Sequence, residues 1–179
     1  MPQNPTGPDG PAAAPTTWAA WRGPLLDAVL TLRDDEGLTV EAPQRYGRMA
    51  RPVGTTLFSR LAGARKRRVV PAVRLHRVED HLRGYWTGAE AHGGPFPWTD
   101  DETAAAQALG WHRPTVTDGE DFVKFWPDDV PQGPYLPLDD ARRATEVVER
   151  TFREVLGVTD EPGEDGEPPE LPAVVRDDA

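Results

Sequence analysis

The 179-residue chain has no cysteine, which excludes a disulfide framework, a thiol nucleophile and a thiolate metal site, and suits a reducing cytoplasm. It has no apolar run of the length needed to cross a bilayer. Met1 to Pro15 is polar and Pro-rich and lacks the basic start and apolar core of a signal peptide. A cytoplasmic protein without a membrane segment is expected. The glycines form neither a P-loop nor a dinucleotide fingerprint, and no serine occupies a nucleophile elbow. His76, His81, His92 and His112 are the only histidines. His76 and His81 would point to opposite faces of a straight strand, and neither has the spacing of a helical metal pair. The carboxylates gather at helix starts and in the C-terminal tail, where the helix dipole or solvation accounts for them, rather than in pairs whose environments would drive two pKa values apart. These absences point away from catalysis: no enzyme, no metal and no cofactor is expected.

What is present is charge, unevenly distributed. The formal net charge is −10. Residues Arg45 to Arg83 hold 11 basic side chains against 2 acidic ones, a net of +9, so the remainder carries 9 against 28, a net of −19. An acidic exterior keeps such a protein in solution while the basic segment attracts an anionic partner or the protein's own acidic parts. A nucleic acid is disfavoured as that partner, because the acidic remainder repels a polyanion and no known DNA- or RNA-binding pattern is present.

The apolar groups place one domain at 16–158, with disordered tails at 1–15 (Pro-rich) and 159–179 (acidic) and a basic insert at 54–68. Thr16 and Thr17 are candidate caps for a helix whose face is Trp18, Trp21, Leu25, Val29 and Leu32. Gly23-Pro24 interrupts it: either the helix starts at Pro24, or the two Trp form a short preceding turn. Leu38, Val40 and Ala42 alternate as in a half-buried strand, and a second strand is expected over Tyr46 to Val53. Thr55 to Arg68 breaks the alternation as a short helix and basic loop. Val69 to Val78 then reads as a strand with Pro71 at its start, and Leu82, Tyr85 and Trp86 mark another. Thr99 with Glu102 has the capping-box pattern for a helix that Gly110 ends and Pro114 keeps from resuming. Phe122 to Trp126 is an aromatic strand. The last helix runs from about Leu138 to Leu156, with Ala141, Ala144, Val148, Phe152, Val155 and Leu156 on one face, and with Glu146–Arg150 and Glu149–Arg153 spaced for ion pairs on the other. Gly157 lies just past its end. Trp111 and Trp126 read as core, whereas Trp18, Trp21, Trp86 and Trp98 are left open between core and exposed anchors.

This order of parts resembles the TY-Chap domains, the actinobacterial relatives of the type III secretion chaperones and YbjN proteins. The likeness is carried by Asp101-Glu102-Thr103-Ala104 through Ala108-Leu109-Gly110-Trp111-His112-Arg113-Pro114, by Phe122 to Trp126, and by Val155-Leu156-Gly157-Val158. It extends roughly from Trp18 to Val158. The resemblance implies an α+β fold, an antiparallel sheet packed by N- and C-terminal amphipathic helices, often dimeric, with a surface that binds a peptide or an unfolded segment of a client. It carries over no catalytic residue. The Thr55 to Arg68 insert departs from the family pattern and either covers or extends that surface.

The expectation is therefore a non-enzymatic, chaperone-like protein binding a protein or peptide client, the basic insert favouring an acidic one. Arg65, Lys66, Arg67 and Arg68, with Phe58, Tyr85 and Trp86 as aromatic neighbours, are the candidate contact residues. The alternatives are an adaptor or immunity-type protein blocking one specific partner, and a nucleic-acid binder acting through the basic insert.

Overall fold

The computed structural model of the chain describes residues 14–50, 66–114, 121–126, 135–163 and 165–177. Helix α1 covers Trp18–Leu30, and the Thr17 hydroxyl accepts from the Ala20 backbone N–H at 3.2 Å. It runs unbroken through Gly23-Pro24, so neither expected start is correct. Proline is tolerated there because the residue before it has no Cβ to strike the pyrrolidine ring, and Ala20, whose carbonyl goes without its i+4 donor, is exposed. Trp18, Trp21, Leu25 and Val29 are the buried face, as their spacing predicts.

Five strands form one antiparallel sheet: β1 (Gly37–Glu41), β4 (Ala72–Val78), β5 (His81–Trp86), β6 (Phe122–Trp126) and β7 (Ala173–Arg176), in the order β6-β5-β4-β1-β7. Strands β2 (Arg48–Ala50) and β3 (Arg67–Val69) make a separate antiparallel ladder. Of the expected Tyr46–Val53 strand, Arg48–Ala50 is strand, following a 3₁₀ turn at Gln44–Tyr46, and 51–53 lie outside the described residues. Pro71, which cannot donate to a ladder, divides β3 from β4. His76 and His81 fall on the same face, not opposite ones, because the Glu79-Asp80 turn reverses the chain and sets Val78 opposite His81. Each makes its own local contact, His76 Nε2 with the Asp35 carbonyl and His81 Nδ1 with Asp80, both at 3.1 Å.

One face of the sheet is core. Leu38, Val40, Val73, Leu75, Leu82, Trp86, Phe122 and Trp126 are buried with α1 and the C-terminal helix α3 (Leu138–Arg150), which pack against each other. Gly84 is required on that face, since a Cβ there would lie 2.7 Å from the Trp126 ring and 3.1 Å from Trp111. The opposite face carries Arg74, Arg83, Phe125 and Val175, all exposed, around half-buried His76 and Tyr85.

Helix α2 (Asp100–Ala108) opens with the full Thr99/Glu102 capping box. It closes in a Schellman motif: Gly110, at φ 86°, donates to the Gln107 carbonyl and Trp111 to that of Ala106. Beyond it the Trp111 indole donates to Thr151 Oγ1 at 2.8 Å in the interior, and His112 exchanges both backbone hydrogen bonds with Val123 on β6. Trp111 meets Trp126 edge-on at 6.1 Å. Helix α3 ends in one π-turn at Thr151–Val155, and Gly157 then takes a left-handed conformation. Glu149 pairs with Arg153 at 2.9 Å, as its spacing predicts, but it is buried and turned toward α1, where Arg22 reaches it at 2.7 Å. Arg150 pairs with Glu154 and not with the expected Glu146.

The largest correction concerns the C-terminal tail. The stretch expected to be disordered from residue 159 instead supplies β7, antiparallel to β1 with Val40 opposite Val174. Leu171 and Val174 pack on the core, and the buried Trp21 indole donates to the Pro172 carbonyl at 2.7 Å. The aliphatic cluster is too small to fold alone, but it only has to dock on an edge already built.

Candidate functional site

Of the residues expected to contact a partner, Phe58 and Arg65 lie outside the described residues. Lys66, Arg67 and Arg68 are exposed at the start of β3. Arg67 and Arg68 belong to a strand rather than to the loop expected there, and Lys66 immediately precedes it. Arg68 is anchored: its guanidinium donates to the Gln44 carbonyl at 2.7 Å and more weakly to that of Arg45 at 3.4 Å. The Gln44–Tyr46 turn is fixed in turn by Tyr46, whose hydroxyl donates to the Gly157 carbonyl at 3.2 Å and whose ring lies 5.1 Å below the Arg45 guanidinium. Arg45 and Arg68 are thus braced together, and Lys66 and Arg67 are exposed next to Arg68 in the chain.

Tyr85 and Trp86 do not join that surface. Adjacent strand residues point to opposite faces, and Tyr85 lies on the exposed side of β5 with the Arg74 guanidinium 5.6 Å from its ring. Trp86 is 0 % exposed, between Trp98 and Phe152 at 4.9 and 5.5 Å. Its assignment as a contact residue is thus corrected: it is core, as are Trp18 and Trp21. Part of the basic segment is also committed internally. Arg48 forms a two-pronged ion pair with Glu102, donates to the Pro97 carbonyl at 3.3 Å and covers the Phe96 ring at 5.2 Å. Burial works against ionisation of Glu102, yet the hydrogen bonds from Arg48 and Thr99 prevail and hold its carboxyl below the usual range. Arg74 pairs with Asp121, and Arg77 donates to the Leu32 and Glu79 carbonyls. Within the described part of the basic segment, Arg45, Lys66, Arg67, Arg68 and Arg83 are exposed and lie outside these ion pairs.

A cavity of about 690 Å³ opens beside this surface. Trp21, Pro24 and Arg45 form one wall, and Glu167, Glu170 and Leu171 of the tail form the other. Composition and charge located the basic wall. The cavity was hidden because its second wall is the tail, signalled only by Leu171, Val174 and Val175. Its lining is largely apolar, with Arg45 its one cation and Glu167 and Glu170 of the tail its carboxylates; the wall of Trp21, Pro24 and Arg45 taken without the tail suits an extended chain bearing carboxylates. No group of His, Asp and Glu that could hold a metal ion occurs among the described residues, and none of their helices is long and apolar enough to cross a membrane.

The model of one protein family, described as TY-Chap3, T3SS (YopN, CesT) and YbjN peptide-binding chaperone 3, matches residues 11–162. No curated protein and no solved structure matches the chain.

Proposed function

We propose, given that the chain belongs to the TY-Chap3 family of peptide-binding chaperones, that it is a non-enzymatic, chaperone-like protein holding an extended, acidic segment of a client protein. The observation that carries the acidic preference is the run of exposed cations at Arg45, Lys66, Arg67 and Arg68, with Arg45 and Arg68 braced through the Gln44–Tyr46 turn and Arg45 lining a largely apolar cavity. In an interface of this kind, exposed charges select the partner and speed encounter, while the apolar floor and backbone contacts supply retention. The cysteine-free composition fits a reducing cytoplasm of an actinobacterial cell, where this reading places the protein.

The test is a fluorescence-anisotropy titration of an array of acidic, neutral and basic peptides against the full chain and against its Arg65→Ser/Lys66→Ser/Arg67→Ser/Arg68→Ser variant. Acidic peptides should bind the unmodified chain best and lose roughly tenfold or more in the variant, since several exposed cations act together. Equal binding by both proteins would remove the basic surface from the reading. One nanomolar partner and no array response would favour a dedicated adaptor, and retention of RNA or DNA with a steep salt slope would favour a nucleic-acid binder.

A further inference from the structure

The tail that completes the sheet has the chemistry of the proposed client. Strand β7 begins at Ala173, beyond residue 162 where the family match ends. It is four residues long, lies at the sheet edge, and exposes Ala173, Val175 and Arg176. Pro162, Pro168, Pro169 and Pro172 precede it and cannot donate to a ladder. Asp160, Glu161, Asp165, Glu167 and Glu170 make the same stretch acidic, and no Lys or Arg lies between Asp160 and Pro172. Besides the β1 ladder and the packing of Leu171 and Val174 on the core, the tail is held by single hydrogen bonds. The Trp18 N–H donates to Asp160 at 3.1 Å, the Trp21 indole to Pro172, the Thr39 hydroxyl to Asp177 at 2.9 Å, the Asp177 N–H to the Gly37 carbonyl at 3.2 Å, and the Arg176 guanidinium to the Thr31 hydroxyl. It contributes Glu167 and Glu170 to the same cavity lining as Arg45.

We infer that residues 165–177 are an intramolecular stand-in for the client. Strand β7 occupies the β1 edge, and the acidic arm covers the Arg45 cavity, until an acidic, extended segment of a client displaces both and pairs antiparallel with β1. The inference rests on the peptide-binding reading above and adds to it the place of binding and its control. A four-residue strand on a tether is a competitor at high effective concentration but of low intrinsic strength. It therefore lowers the apparent affinity of every client by the fraction of time it is docked, and so rejects weak ones.

The absence of cysteine makes the test direct. Thr39 and Val175 face each other across β1 and β7, and facing antiparallel residues are within reach of a disulfide. The full chain carrying Thr39→Cys and Val175→Cys is titrated, oxidised and reduced, with a fluorescein-labelled peptide of residues 168–177 and with the best acidic peptide of the array. The reduced form should bind both, and the oxidised form should bind them at least about tenfold more weakly. A second variant, Val174→Asp, weakens the docked strand without touching β1 and should bind the labelled tail peptide more tightly than the unmodified chain. Equal binding by oxidised and reduced protein overturns the stand-in role and leaves peptide binding intact. Failure of Val174→Asp to gain affinity, with its thermal melt still cooperative, also overturns it. If no array peptide binds any form, the client reading falls and the stand-in role with it, even where the labelled tail peptide still exchanges.

Discussion

Replacing Trp21 by Phe removes one hydrogen-bond donor from the interior, together with part of a fully buried ring. The ring remains in place against Trp18, which it meets edge-on at 5.2 Å, and the helical face stays aromatic. What is lost is the 2.7 Å bond from the indole nitrogen to the Pro172 carbonyl, both ends of which are buried. A buried acceptor left without a donor costs about 1–3 kcal/mol. The tail can relieve that penalty by lifting into water, whereas the sheet behind it cannot. The expected effect is therefore local: the Asp177 amide, which donates to the Gly37 carbonyl at 3.2 Å, should exchange with solvent about 5- to 100-fold faster, at about 1.4 kcal/mol per decade. Amides of β4 and β5 should keep their protection. Hydrogen exchange read by NMR resolves the two. Unchanged protection at Asp177, or a loss spread evenly over β4 and β5, would refute the reasoning that the indole holds a detachable strand.

Other consequences follow from the same packing. Gly84→Ala should lower stability by about 1–3 kcal/mol in urea unfolding, because its Cβ would press on two interior indoles that have no room to turn; a neutral result would mean that the Trp111–Trp126 pair is loosely packed. Glu102 has a folded-state pKa below its ordinary value of 4.5, so the stability it contributes is complete above that pH and disappears as pH falls through the lower folded value. Glu102→Gln should accordingly destabilise by about 1–2 kcal/mol at neutral pH. The gap from the unmodified protein should close in acid, and a gap independent of pH between 2 and 7, on the order of the range over which carboxylates titrate, would assign the loss to packing rather than to ionisation.

Local signals located the elements that local chemistry determines. Thr99 and Glu102 started α2, Gly110 stopped it, and the apolar spacing of α3 and of Phe122 to Trp126 held. Where a tertiary partner decides, the same signals misled. Pro24 reads as a helix boundary, yet Gly23 and the buried faces of Trp18 and Trp21 carry α1 through it. The segment after Asp160 reads as unstructured because its three large aliphatic groups cannot build a core, though two of them, Leu171 and Val174, suffice to extend one. Tyr85 and Trp86 are neighbours in sequence that face opposite sides of β5. Strand alternation, with Leu82 and Trp86 in phase, was enough to separate the core ring from the exposed one. The cation surface was visible as charge, whereas its bracing through Gln44 and Tyr46 and its cavity depend on chain returns that composition does not encode.

The most direct measurement is the salt dependence of binding for one acidic array peptide, compared between the unmodified chain and the variant with four serines at Arg65, Lys66, Arg67 and Arg68. If these cations recognise the client's carboxylates, affinity should fall steadily as salt rises, and the variant should bind more weakly with a markedly flatter dependence. The same affinity and the same salt dependence in both proteins would contradict recognition by the basic surface.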